Sequence, residues 1–105
     1  MNTINLIMKG KNVLAKGTFN VESKEFQLKK GSLIKKNHTE NFKYFEKRNS
    51  LIKEYCEECG ESYRLNKDII FNSPTGAAKF CLGFEVNGLI YWKNAKGEKL
   101  KDILK

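Results

Sequence analysis

Proline occurs once in this 105-residue chain, at Pro74, and histidine once, at His38. A lone histidine cannot supply a multi-histidine metal centre, and no His-Glu-x-x-His segment is present. Cysteine occurs three times, as Cys56, Cys59 and Cys81. The odd count, with no secretory leader in "MNTINLIMKGKNV", argues against a disulfide framework. No apolar run approaches the roughly 20 residues of a bilayer-spanning helix. The expected setting is therefore the cytoplasm, with no membrane partner. No glycine-rich loop ends in Lys-Ser or Lys-Thr, and Asp68, Glu85, Glu98 and Asp102 are scattered along the chain. A nuclease needs clustered carboxylates or a metal site, so the chain reads as a non-enzyme without a cofactor or a bound metal.

Acidic residues are also few, and unevenly so. Residues 1–52 hold 11 Lys/Arg against 4 Asp/Glu, whereas residues 53–105 hold 9 against 8, within an overall net charge of +8. This asymmetry suits a polyanionic partner met through the first half. The competing explanation is a solubilising surface, since 18 of the 20 basic residues are lysine. Hydrophobic residues (40%) and aromatics (11%) suffice for one modest core and argue against disorder. One domain over residues 1–105 is expected.

The hydrophobic pattern points to an α+β fold, a small antiparallel β-sheet packed with two main α-helices. "TINLIM" alternates, and "NVLAKGTFNV" and "ESKEFQLKKGS" continue as a second strand and its return, with Ser23-Lys24 near the turn. "KKGSLIKKNHTEN" reads as a polar connection carrying Lys29, Lys30, Lys35 and Lys36. Residues 43–55 have helical spacing, with Tyr44, Phe45, Leu51, Ile52 and Tyr55 on one stripe, and "CEECGES" ends that helix at Gly60. "SYRLNKDIIF" is short extended structure. Residues 74–83 form the second helix with Gly83 as its stop. Asn87-Gly88 reads as a tight turn into a strand over Leu89–Lys93, and "LKDILK" as a last half-turn or short strand.

Within "FNSPTGAAKF", Ser73 is a good N-cap and Pro74 suits the first helical position. Gly76 stands where a capping box would place Glu or Gln, which leaves the helix end without a local carboxylate and open to an anion. The alternative is that Gly76, Ala77 and Ala78 are small because the helix lies tight on a sheet, with Ala77, Phe80, Cys81 and Phe84 inward. The pair Cys56-x-x-Cys59 has half of a zinc knuckle's spacing, but only Cys81 and His38 remain as further ligands. It falls at a helix end among Glu54, Glu57, Glu58 and Glu61, which disfavours a redox thiolate. In "GLIYWK", Tyr91 or Trp92 could stack on a nucleobase, while core packing claims at least one of them.

In order along the chain, "LIMKGKNVLAKGTF", "FQLKKGS", "RNSLIKE", "DIIFNSPTGAAKFCLGFEVNG", "YWK" and "GEKLKD" together resemble a bacterial family called domain of unknown function 4357. The most specific part runs from Asp68 to Lys93, where Ser73, Pro74, Ala77, Ala78, Asn87, Gly88, Trp92 and Lys93 match. Thr75 replaces a usual serine, and Leu89 replaces a usual Trp. The family often forms the C-terminal appendage of GIY-YIG nuclease-type and other restriction-linked proteins, and it more distantly resembles the RAMA domain of restriction and methylation systems. The resemblance implies DNA binding beside a nuclease or methyltransferase domain and brings no catalytic residues. The resulting expectation is a non-catalytic nucleic-acid-binding module, with DNA favoured over RNA. Lys29, Lys30, Lys35 and Lys36 meet phosphates, Ser73, Thr75 and Gly76 hold a phosphate or base edge, Tyr91 or Trp92 stacks, and Lys93 completes the nucleic-acid-binding set. The alternative is a protein-interaction module or small inhibitor that docks on an acidic partner.

Overall fold

The computed structural model describes residues 2–40 and 42–104; Met1, Asn41 and Lys105, at the ends of three of the segments above, lie outside them. Among the described residues the fold is α+β, with an antiparallel seven-stranded sheet and four helices. β1 (Thr3–Gly10) and β2 (Val13–Asn20) form a hairpin paired over all eight positions, and β3 (Phe26–Leu28) returns along β2. Lys24, in the β2–β3 turn, has φ 67°.

The Lys-rich connection contains a strand that its polarity hides. β4 (Leu33–Lys35) joins β2 at Leu14 and pairs with β6 (Ser62–Leu65). Between β3 and β4 the buried Ser32 hydroxyl accepts from Lys16 N–H at 3.0 Å and donates to the Lys16 carbonyl at 3.3 Å. One serine therefore satisfies the backbone where β2 changes partner. The sheet order is β5-β6-β4-β2-β3-β7, with β5 (Cys56–Cys59), β7 (Ile69–Phe71) and β1 on the other side of β2.

The first long helix, α1 (Phe45–Tyr55), stops five residues before Gly60. Cys56 turns extended (φ −125°, ψ 160°) because residues 56–59 pair with β6, and long-range pairing overrides the local stop signal. Its inward face also differs from the expected stripe. Ile52 is buried, Tyr44, Leu51 and Tyr55 are half-buried and Phe45 is exposed, while Arg48 is fully buried. Arg48 Nε donates to the Phe80 carbonyl at 2.7 Å and its Nη2 to the Lys35 carbonyl. Phe80 lies in the last turn of α2 (Pro74–Leu82), whose terminal carbonyls lack intrahelical partners. Arg48 thus ties α1 to the negative end of α2 and to β4.

α2 begins as the sequence indicates. Ser73 Oγ accepts from Gly76 N–H at 3.0 Å, Pro74 is in the first turn, and Gly83 closes the helix at φ 77°. Ala77, Ala78, Phe80 and Cys81 are fully buried against the sheet, and Phe84 is half-buried. Leu6 and Met8 of β1, and Val13, Ala15 and Phe19 of β2, meet them from the inner face. The alternation of the first hairpin thus becomes one covered face and one open face.

The stretch after Asn87 is not a strand. Gly88–Tyr91 is one helical turn, α3, which Asn87 caps by accepting from Leu89 N–H at 3.0 Å. Beyond that turn Trp92 becomes extended (φ −81°, ψ 133°), and the bridge to the sheet is made by Lys93. It exchanges backbone hydrogen bonds with Ile7 (2.7 and 3.0 Å) and so covers part of the β1 edge. The last segment is a turn of helix, α4 (Leu100–Ile103).

Candidate functional site

The Ser-Pro and Asn-Gly motifs meet in space, and Trp92 joins them. Its indole N–H donates to the Pro74 carbonyl at 2.9 Å, and the ring is completely buried, tilted on Phe26 at 4.4 Å between centroids. Thr75 Oγ1 accepts from Gly88 N–H at 3.0 Å. A Cβ on Gly88 would lie 2.5 Å from the Pro74 carbonyl oxygen, so only glycine permits this approach. Gly17 performs the same service for Phe26, whose ring occupies the position of the missing Cβ at 2.2 Å. The motif is a lock between α2 and α3. Trp92 therefore offers no face for stacking.

The helix end is occupied in part. Pro74 has no N–H, Ser73 Oγ takes the Gly76 N–H, and the Ser73 carbonyl takes that of Ala77 at 3.3 Å. Close packing accounts for Ala77 and Ala78, and capping by Ser73 occupies the Gly76 amide. The Thr75 hydroxyl is engaged with the Gly88 N–H.

The predicted lysines separate into two groups. Lys36 is held by Glu58 at 2.7 Å, and that hydrogen bond raises its pKa while lowering the Glu58 carboxyl. Lys35 Nζ lies 5.4 Å from the Phe84 ring centroid, and Phe84 meets Tyr91 edge-on at 6.5 Å. Lys29, Lys30 and Lys93, together with Tyr91, border hollows along the open face of the sheet.

Strand register shows what that face carries. Ile7 is opposite Lys93 on one side and Lys16 on the other. Lys29 N–H donates to the Lys16 carbonyl at 2.9 Å, which continues the β2–β3 ladder one step past Gly17↔Leu28. Lys93, Ile7, Lys16 and Lys29 thus form a row across neighbouring strands. A second row runs Lys9, Leu14, Leu33, Arg64. Two hollows of about 240 and 280 Å³ share Ile7 and Ala95 and are bordered by Lys9, Lys93 and Tyr91 and by Lys16 and Lys29. A third, about 230 Å³, lies between Lys16 and Lys30 over Leu14 and Leu33.

Ion pairs among the described residues are Lys36–Glu58, Arg64–Glu57 and Lys79–Glu85. None involves the lysines of the first row. Lys16 and Lys29 stand directly opposite, an arrangement of like charges that destabilises a sheet on its own. Lys9 and Lys16 were not singled out from the sequence. The alternation of β1 and β2 was the signal, since it places both on the side away from Leu6, Met8 and Ala15.

The Cys-x-x-Cys pair follows directly on the end of α1, where Cys56 is the C-terminal cap, and lies along β5. Residues three apart on a strand point to opposite faces, so Cys56 and Cys59 do not converge on one ligand. Cys56 is half-buried, and burial pushes its thiol up to about 11; Cys81 is fully buried and is pushed up further by the same cause. No cluster of three or more His, Cys, Asp or Glu with metal-binding geometry occurs among the described residues. No helix among them is long and apolar enough to cross a membrane.

Comparison with known families matches residues 6–104 to the family described as domain of unknown function (DUF4357), and the chain belongs to that family. No curated protein and no solved structure matches it.

Proposed function

We propose that this member of the domain of unknown function 4357 family is a non-catalytic nucleic-acid-binding module, with DNA the favoured ligand, and that the open face of its sheet is the binding surface. The observation that carries the reading is the row Lys93, Ile7, Lys16, Lys29, in which two lysines oppose each other with no carboxylate between them. Phosphate oxygens placed above that row remove the repulsion. Ile7 and Leu14 give the hollows apolar floors, and Tyr91, 39% exposed, stands at the rim of the Ile7 hollow where a base can stack. Lys29, Lys30 and Lys93 keep their expected roles in this reading, and Lys9 and Lys16 join them. A nuclease or methyltransferase domain in the cytoplasm is the setting that the family's habits suggest.

The test is binding to short duplex DNA, single-stranded DNA and RNA at several salt concentrations. Engagement of Lys9, Lys16, Lys29 and Lys93 gives a log–log salt slope of about −3 to −4 on duplex DNA, at about −0.9 per phosphate neutralised. Lys16→Glu should flatten the slope and weaken binding, whereas Lys36→Glu, which alters a lysine already paired with Glu58, should do so much less. Salt-independent binding, or a larger effect from Lys36→Glu than from Lys16→Glu, would refute the assignment.

A further inference from the structure

A hollow of about 380 Å³ lies away from those rows. Tyr44, Lys47 and Leu51 border it on one side, and residues 69–73 with Gly76 on the other. Side chains along a strand alternate between faces, so a hollow bordered by five consecutive residues runs along a backbone edge. β7 is the terminal strand at that end of the sheet. The phase of the hydrogen-bond ladder shows which groups it leaves open. Asn20 N–H donates to the Glu25 carbonyl and Lys29 N–H to the Lys16 carbonyl, so Gln27 directs its backbone groups to β2, and Phe26 and Leu28 direct theirs to β7. Ile69 and Phe71 are their partners. The N–H and C=O of Ile70 therefore point outward into the hollow, beside a side chain that is 63% exposed.

We propose that this edge accepts an extended acidic peptide as an added strand, laid between β7 and α1. Backbone hydrogen bonds to Ile70 fix the register, and alternate side chains reach the pockets on either side. An apolar side chain fits towards Leu51 and Tyr44, and a carboxylate falls within reach of Lys47. Charge selects this occupant. Lys47 is the ionised residue bordering the hollow, the first turn of α2 carries no acid, and the chain has a net charge of +8. Asp68, next to β7, is engaged by Gln27 Nε2 and Lys30 N–H. A second copy of the chain would bring its own Lys47 to the same edge, setting like charges against each other. The site is separate from the lysine rows, and it stands or falls independently of nucleic-acid binding.

The probe is an acetylated and amidated hexapeptide alternating glutamate and valine, with a lysine–valine counterpart, titrated into the full chain while amide shifts are followed. The acidic peptide should shift the amides of Ile70, Asn72 and Lys47 and slow solvent exchange at Ile70, and the basic peptide should not. Ile70→Pro removes an outward N–H and a mostly exposed side chain, which an edge strand tolerates, so the variant should melt like the parent and lose the peptide. Lys47→Glu, on the exposed side of α1, should reverse the preference to the basic peptide, and it keeps the test open should the proline variant fail to fold. No shift at Ile70 and Asn72 at millimolar peptide, equal response to both peptides, or shifts at this edge that depend on protein concentration alone would overturn the proposal.

Discussion

Replacing Trp92 by Phe separates scaffold from surface. In the folded chain the Trp92 ring is completely buried and its N–H reaches the Pro74 carbonyl at 2.9 Å. That carbonyl oxygen has two lone pairs and sits in the first turn of α2, where the helix itself uses one. Loss of the indole N–H therefore removes the net worth of one hydrogen bond, about 1 kcal/mol, rather than orphaning a buried group. The smaller ring also leaves a gap against Phe26 and α2, which adds about 1–2 kcal/mol. The total is about 2–3 kcal/mol, and a domain of this size loses about 4–8 °C in melting temperature per kcal/mol. Thermal unfolding followed by circular dichroism should therefore shift down by about 10 °C or more. Nucleic-acid affinity measured well below the transition should be unchanged. Tyr91→Ala should do the reverse, with stability nearly kept and affinity reduced, since the tyrosine is 39% exposed. A Trp92→Phe protein that melts with the parent but loses nucleic acid would refute the reasoning and return Trp92 to the binding surface.

The same residues show where sequence pattern stops being informative. The alternation of β1 and β2 and the Ser-Pro start of α2 are local signals, and each appears in the structure where the pattern put it. β4 was hidden because Leu33–Lys35 lies among lysines, and its identity as a strand comes from pairing with residues 62–64, far along the chain. Asn87-Gly88 has the composition of a hairpin turn, yet Asn87 caps α3, and the glycine is required by contact with Pro74 and Thr75. Arg48 has no place in the apolar stripe expected over residues 43–55. Its burial depends on the Phe80 and Lys35 carbonyls, which no window around residue 48 contains. The candidate surface was half legible for a related reason. Charge asymmetry pointed to lysines of the first half, but only strand register could show that Lys16 faces Lys29 and that Lys36 is neutralised by Glu58.

Two further changes probe groups hidden from solvent. Arg48→Met removes a buried charge, whose desolvation lowers its pKa and whose Nη1 has no partner, but it leaves the Phe80 and Lys35 carbonyls behind. Each carbonyl left unsatisfied costs about 1–3 kcal/mol and relief of the charge offsets part of that, so denaturant unfolding should show a net loss of about 2 kcal/mol; a variant as stable as the parent would mean that the buried charge outweighs both carbonyls. The thiols give the pH prediction. At about pH 8, where reactivity follows the thiolate, iodoacetamide should modify exposed Cys59 first, Cys56 more slowly, and Cys81 only on unfolding. Because burial raises Cys56 from 9.0 to about 11, the unfolded chain releases this proton first. Its contribution to stability is therefore complete below pH 9.0 and is lost as pH rises through about 11. Urea midpoints at about pH 8 and about pH 10.5 test this, because the fall between them should be smaller in Cys56→Ala than in the parent. An equal fall in the two proteins would show that Cys56 ionises as freely in the folded strand as in the unfolded chain.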